Sequence, residues 1–387
     1  MNVVFTCGGT GGHINPTIAV ANIWRERHPD SNILFICGDD PLEKKLIPQA
    51  GYKMVNLHTL GFMRVKAWWA VKYNLHAVNH ARKSVAQCKK IFKEFKPDVI
   101  IGTGGYACFP ALMAGAMMKI PTCVHESNAM PGLTTRILAP SVDKVLVCFT
   151  ESIRHYKKNV AKKIEVVGMP VRREFVFTEK AKAREELGLG DGPVVVSAFG
   201  SQGARAMNEV TAGLFKLEQD AGFPFHHIHA VGSYGRDWMP DFVKQQGVDL
   251  ESAPAIDMKE YIYNMPTVMA AADVIVSRAG ASSCSEIAAS GTPCVLIPSP
   301  NVTDNHQEKN ARALEAQGAA VVLQEKECTA KRLFDEITAL LNDQERYKAM
   351  GKALYTMAVP DSAERLCAQM ERLVKTKEKR NGPQRKK

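Results

Sequence analysis

Short runs of apolar, mostly β-branched residues alternate along the chain with longer stretches of mixed polarity. In the first half these runs are NVVFTC (2–7), NILFIC (32–37), KMVNL (53–57), DVIIG (98–102), TCVHE (122–126), DKVLVCF (143–149) and KIEVVG (163–168). In the second half they are PVVVSAFG (193–200), HHIHAVG (226–232), DVIVSRAG (273–280), PCVLIPSP (293–300) and AAVVLQ (319–324). Runs that are apolar at consecutive positions have no polar face for water, so they predict parallel strands covered by helices on both sides. The alternation predicts an α/β protein of two doubly wound parallel-sheet domains, each opening with strand, glycine-rich loop and helix. The boundary is expected near Gly168–Phe177, giving domains at 1–168 and 169–358. The basic end KTKEKRNGPQRKK has no apolar periodicity, so 376–387 is expected to be a disordered tail.

A length of 387 residues agrees with two domains rather than one. Lysine and arginine outnumber the acids, for a formal net charge of +10, which suits an anionic partner. The lysines are spread out and no nucleic-acid-recognition motif is present, so nucleic acid is not the expected partner. Ten cysteines are scattered without Cys-x-x-Cys or Cys/His clustering, which predicts reduced, buried thiols and no structural metal. The opening MNVVFTCGG lacks the basic region of a signal peptide, and no apolar stretch reaches 18 residues. Any membrane contact is therefore expected to be peripheral.

The candidate chemistry lies in loops that follow the strands, where ligands bind in open α/β sheets. Gly8-Gly9-Thr10-Gly11-Gly12-His13 follows the first strand and precedes a helix expected from about Thr17 to Arg27. Its glycines permit close backbone approach, and a helix N-terminus offers free N–H groups to an anion. No lysine follows, so this is not a Walker A loop. His13 near a helix start is disfavoured as a cation, which leaves either a neutral general base or a histidine that only bonds the loop. Gly102-Thr103-Gly104-Gly105-Tyr106 and His125-Glu126-Ser127-Asn128 follow two further strands. Glu126 and Asn128 read either as substrate contacts or as turn-capping residues.

In the second half, Gly200-Ser201-Gln202-Gly203-Ala204 precedes a helix carrying Asn208 and reads as a diphosphate site. Arg278 to Glu286 combines small residues with a helix start. Glu286 is expected in the first turn, there either to bond two ribose hydroxyls or merely to favour the helix dipole. The segment Pro300 to Ala311, with Gln307, is dense in the amide and acid groups that bond sugar hydroxyls.

GGTGGHINP, GTGGY, HESNAMPGLT, GMPVR, GSQGA, RAGASSCSEIAASGTP and TDNHQEKNA occur in the order seen in the MurG family, and the chain resembles that family from residue 1 to about 370. The resemblance implies the GT-B fold: two Rossmann-like domains facing across a cleft, the acceptor on the first and the donor on the second. The last helix, about 360–375, is then expected to pack back on the first domain. It also implies inverting transfer of GlcNAc from UDP-GlcNAc to the MurNAc 4-hydroxyl of undecaprenyl-linked lipid I, giving lipid II for the bacterial cell wall. By motif, Thr10, Gly11, Gly12, Asn128, Arg172, Ser201, Gln202, Asn208, Ile262, Ala281, Ser282, Ser283, Cys284, Ser285, Glu286 and Gln307 match donor-side positions. Gly104, Gly105, Tyr106 and Asn128 match acceptor-side positions, and His13, then Glu126, are the catalytic candidates. Met169, Ser127 and Phe199 depart from the family pattern. No D-x-D motif stands in a fitting context, so no cofactor is expected to be required, although a divalent metal is allowed as a stimulant. A glycolipid transferase or a UDP-sugar 2-epimerase of the same fold are the alternatives.

Between Gly61 and Lys96, Phe62, Met63, Trp68, Trp69 and Tyr73 alternate with Arg64, Lys66, Lys72, Arg82 and Lys83. Aromatic and basic residues together suit a surface of anionic lipid, although the tryptophans also suit a helix packed into a core. The resemblance places the protein at the cytoplasmic face of the cell membrane, with other cell-wall synthesis and division proteins as partners.

Overall fold

The computed structural model describes residues 1–9, 11–58, 68–302 and 305–381. They form two compact units, Met1–Val171 with Val359–Lys387, and Arg172–Ala358. Unit 1 contains strands β1 (Asn2–Thr6), β2 (Asn32–Cys37), β3 (Lys53–Asn56), β4 (Val99–Gly102), β5 (Thr122–Glu126), β6 (Lys144–Val147) and β7 (Ile164–Val166). Its helices are α1 (Gly11–Arg27), α2 (Pro41–Gln49), α3 (Trp68–Phe95), α4 (Cys108–Met117), α5 (Leu133–Leu138) and α6 (Lys158–Ala161). Unit 2 contains β8 (Val194–Ala198), β9 (His226–Ala230), β10 (Ile256–Lys259), β11 (Val274–Ser277), β12 (Cys294–Leu296) and β13 (Val321–Val322). Its helices are α7 (Glu174–Phe177), α8 (Lys180–Glu186), α9 (Arg205–Asp220), α10 (Met239–Gln245), α11 (Met265–Ala271), α12 (Ala281–Ser290), α13 (His306–Glu315), α14 (Ala330–Asn342) and α15 (Gln344–Met357). Helix α16 (Ser362–Asn381) belongs to unit 1.

Both sheets are parallel, as the unbroken apolar runs predict. Unit 1 has the order β3-β2-β1-β4-β5-β6-β7 and unit 2 the order β10-β9-β8-β11-β12-β13. In each sheet the chain winds outward on one side of the first strand and then returns to its other side. Adjacent loops at that reversal diverge, which opens a crevice at the carboxyl ends of the two central strands. The crevice lies between β1 and β4 in unit 1, and between β8 and β11 in unit 2.

Strands β4, β5 and β11 are buried at every position, because helices cover both faces. On one face of the first sheet, Val20 and Trp24 of α1 pack with Leu366, Cys367 and Met370 of α16. On the other, Cys88 and Phe92 of α3 pack with Ala111 and Leu112 of α4.

Three expectations about elements are corrected. Strand β10, IDMK, is an edge strand with only Ile256 buried, so it alternates in polarity and shows no apolar run. Helix α1 begins at Gly11, not near Thr17, and Pro16 lies inside it. The charged end is helical through Asn381, so the disordered tail expected from 376 is not seen over 376–381. Those six residues extend a helix already nucleated by core contacts, and propagation needs far less than nucleation. All ten cysteines are free thiols, nine of them buried. Among the described residues no helix is long and apolar enough to cross a membrane.

Candidate functional site

The crevice of unit 1 is built by three loops. After β1, Gly8 and Gly9 lead into the first turn of α1, which carries His13. After β4, Gly104 and Gly105 take positive φ of 115° and 86°. Both glycines are forced by contact as well as by conformation. A Cβ on Gly105 would stand 2.3 Å from the Gly8 carbonyl oxygen, and one on Gly104 would stand 2.6 Å from the His13 ring.

These contacts fix His13. Its Nδ1 lies 2.9 Å from the Thr103 carbonyl oxygen. A carbonyl only accepts, so Nδ1 carries the proton and the neutral ring has its lone pair on Nε2. The backbone oxygen of His13 accepts from the hydroxyls of Thr17 at 2.6 Å and Thr103 at 2.9 Å. The imidazole is therefore held in one place and one tautomer, with its basic nitrogen on the side away from Thr103.

The third loop, after β5, is ordered by Glu126, which is 4% exposed. Oε1 accepts from the Asn128 amide at 3.0 Å and from its side-chain nitrogen at 3.3 Å, and Oε2 accepts from Gly132 N at 2.9 Å. Both oxygens are thus committed to shaping the loop. This turn-capping chemistry leaves His13 better placed than Glu126 to accept a proton. Asn128 is half-buried and Tyr106 is 54% exposed.

His125, which was not among the expected site residues, is fully buried beside Glu126. Its Nε2 donates to Gly168 O at 2.9 Å. Burial pushes its pKa down to about 4, and the charge of a protonated His13 would push the same way. Its sequence signal was its place inside a strand, where a side chain points into a core.

In unit 2 the crevice is lined by the loop Gly200–Ala204 before α9 and by the start of α12. A Cβ on Gly203 would stand 2.1 Å from the Val231 carbonyl oxygen, so the loop lies directly on the end of β9. Gly280 caps α12 in an extended conformation. Ala281 and Cys284 face the core, while Ser282, Ser283 and Ser285 are half-buried at the helix start. A helix start flanked by hydroxyls suits a phosphate.

Glu286 is the sixth residue of α12, in its second turn rather than the expected first, so a helix-dipole role has little hold on it. Burial pushes its carboxyl up to about 7, against the opposing charge of Arg172. Arg172 stacks 5.2 Å from the Phe175 ring, and its Nε is buried with no partner among the described residues. Gln307 accepts from Ser299 N at 2.9 Å through Oε1, which makes Nε2 the donor end of its amide. Ile262 is buried between Tyr261 and Tyr263, whose rings lie 4.9 Å apart.

Asn208 departs from its expected donor-side place. It is 1% exposed, and its Nδ2 donates to Val231 O at 2.8 Å, which ties α9 to the end of β9. It supports the loop from behind. Arg278, also outside the expected site residues, is 8% exposed and donates to Ile297 O at 3.1 Å while pairing with Glu325. It braces the β11 loop against the end of β12. Thr10 lies outside the described residues, as do Phe62, Met63, Arg64 and Lys66 and the side chains of Trp68, Trp69 and Tyr73. Among the described residues no His, Cys, Asp and Glu group is arranged to hold a metal ion.

Two doubly wound parallel sheets, each with a glycine-lined crevice at its strand ends, define the GT-B fold. Two family models match the chain: the glycosyltransferase family 28 N-terminal domain over residues 3–147, and the family's C-terminal domain over 194–366. The chain therefore belongs to glycosyltransferase family 28. It is 40% identical over 97% of its length to the UDP-N-acetylglucosamine--N-acetylmuramyl-(pentapeptide) pyrophosphoryl-undecaprenol N-acetylglucosamine transferase of Acetivibrio thermocellus, covering 99% of that protein. It is 41% identical over 94% of its length to the transferase of the same name from Caldanaerobacter subterraneus subsp. tengcongensis, covering 97% of it. Among solved structures, Acinetobacter baumannii MurG superposes with a TM-score of 0.71 at 23% identity, over 96% of this chain and 99% of that one. A UDP-GlcNAc 2-epimerase from Neisseria meningitidis superposes with a TM-score of 0.63 at 14% identity, over 96% and 100%. The structural likenesses establish the fold, which transferases and epimerases share.

Proposed function

We propose that this glycosyltransferase moves N-acetylglucosamine from UDP-GlcNAc to the MurNAc 4-hydroxyl of undecaprenyl-linked lipid I, with inversion at the anomeric carbon. The observation that carries this reading is the near-complete coverage, at about 40% identity, of transferases named for that reaction. It favours transfer over the epimerase alternative, whose likeness is one of fold alone.

The chemistry divides between the units. In unit 1, His13 Nε2 takes the proton of the attacking hydroxyl, and the Nδ1–H bond to Thr103 O steadies the imidazolium that forms. Glu126 orders the loop that carries Asn128, and Gly104, Gly105 and Tyr106 line the acceptor's path. In unit 2, the departing diphosphate is met by Ser201, the loop before α9, the start of α12 and Arg172. Glu286 accepts from the ribose hydroxyls, the backbone at Ile262 reads the uracil, and Gln307 donates to the donor sugar. These amides, hydroxyls and one guanidinium can neutralise the leaving group without an obligatory metal. The protein works at the cytoplasmic face of the membrane as a peripheral protein, drawn to anionic lipid by its basic charge.

Incubation with UDP-[14C]GlcNAc, with and without a lipid I analogue, tests this reading. Label is expected in the lipid product only when acceptor is present. Acceptor-independent isomerisation of the sugar, without label in lipid, would refute it.

A further inference from the structure

Glu43, in the first turn of α2, reaches the glycine loop after β1. It is 1% exposed. Asp40 caps α2 by accepting from Leu42 N at 2.8 Å, which sets the helix start and aims Glu43 at the loop. Its Oε1 accepts from Gly9 N at 2.5 Å. A Cβ on Gly8 would stand 3.3 Å from the same oxygen and 3.6 Å from Ala107 N. The loop is thus gripped between Glu43 on one side and the second glycine loop on the other.

The other oxygen, Oε2, is buried and has no hydrogen-bond partner. A buried carboxylate with one oxygen unmet costs folding free energy, and a structure keeps such a group where it serves something other than stability. Burial raises its pKa, and the Gly9 amide opposes that rise. The Gly38 and Asp40 amides beside it lower its pKa too, so the acid also serves the start of α2.

We propose that Glu43 is a positioning residue for transfer: by holding Gly9 N it fixes the glycine loop, and through that loop the first turn of α1 and His13. The inference rests on the proposed transfer and on His13 as its base. Glu43 touches neither substrate. It sets where the loop's amides and the imidazole stand when the acceptor arrives, and an error of about 1 Å in such placement costs on the order of 100-fold in rate.

The test compares Glu43→Ala and Glu43→Gln with wild type in three measurements: transfer kinetics with a lipid I analogue, UDP affinity by calorimetry, and Tm. Wild-type transfer must be seen first; its failure would count against the function, not against Glu43. For Glu43→Ala, kcat is expected to fall about 10- to 100-fold, with the enzyme still folded at the assay temperature and UDP affinity within about twofold. Glu43→Gln keeps an acceptor oxygen for Gly9 N and is expected to recover kcat to within about fivefold. A Glu43→Ala enzyme with wild-type kcat would overturn the proposal. So would a loss of kcat that tracks a fall in Tm and UDP affinity, or a Glu43→Gln enzyme as impaired as Glu43→Ala.

Discussion

The role proposed for Glu286 at the donor ribose predicts that donor binding depends on pH, with a sign and size that follow from its surroundings. Burial at α12 disfavours the charge and pushes its carboxyl up to about 7, and Arg172 only partly restores it. Ribose hydroxyls donate, so the ionised form is the one that binds them. The sign follows: protonation at low pH removes the acceptor, and affinity rises as pH rises through 7. If only the carboxylate binds, the apparent Kd scales as 1 + 10^(pKa − pH), and it should fall roughly 30-fold between about pH 5.5 and about pH 8. UDP-GlcNAc is the proper probe, since its diphosphate is esterified at both ends and does not titrate in this window. Calorimetry across the range should show the slope in wild type and its loss in Glu286→Gln, which binds weakly at every pH. Arg172→Ala should move the midpoint upward, because burial then acts unopposed. A wild-type Kd constant within about twofold, or an equal slope in Glu286→Gln, would refute the reasoning.

Other outcomes follow from the same geometry. His13→Ala should lower kcat by at least ~100-fold with UDP affinity retained, the usual share of a positioned general base. Gly105→Ala places a Cβ 2.3 Å from the Gly8 carbonyl at φ 86°. It should cost about 2 kcal/mol or more and lower Tm by roughly 4–8 °C in a melt. Leu366→Ala empties a fully buried position where α16 meets α1, and should cost about 2–5 kcal/mol by urea titration. Transfer measured in excess EDTA should persist at half the untreated rate or better; abolition, with recovery on adding magnesium, would show an obligatory metal.

Much of this protein was legible from its residues in order. Consecutive apolar positions specify strands buried on both faces, and strands of that kind are parallel because only crossover helices can cover both faces. That reading recovered every strand except β10, whose alternating IDMK belongs to an edge with one face in water. The glycine loops were visible too, since four glycines within five residues serve few purposes other than close approach.

What the residues alone left open was settled by contacts between segments far apart in the chain. The tautomer of His13 depends on a carbonyl 90 residues away. The commitment of both Glu126 oxygens to loop amides is a matter of how that loop folds back, and the titration of Glu286 is a matter of what buries it. Asn208 sits on a helix beside the anion loop in sequence, yet packing turns its amide onto Val231. The Asp40-x-x-Glu43 spacing marks a helix start in sequence, but the bond from Glu43 to Gly9, 34 residues away on another strand's loop, is made only by folding. Local pattern decides which elements form, since periodicity and glycine content act within a few residues. Protonation state, side-chain direction and hydrogen-bond partner belong to the tertiary structure, because each is set by burial and by donors or acceptors that only folding brings within about 3 Å.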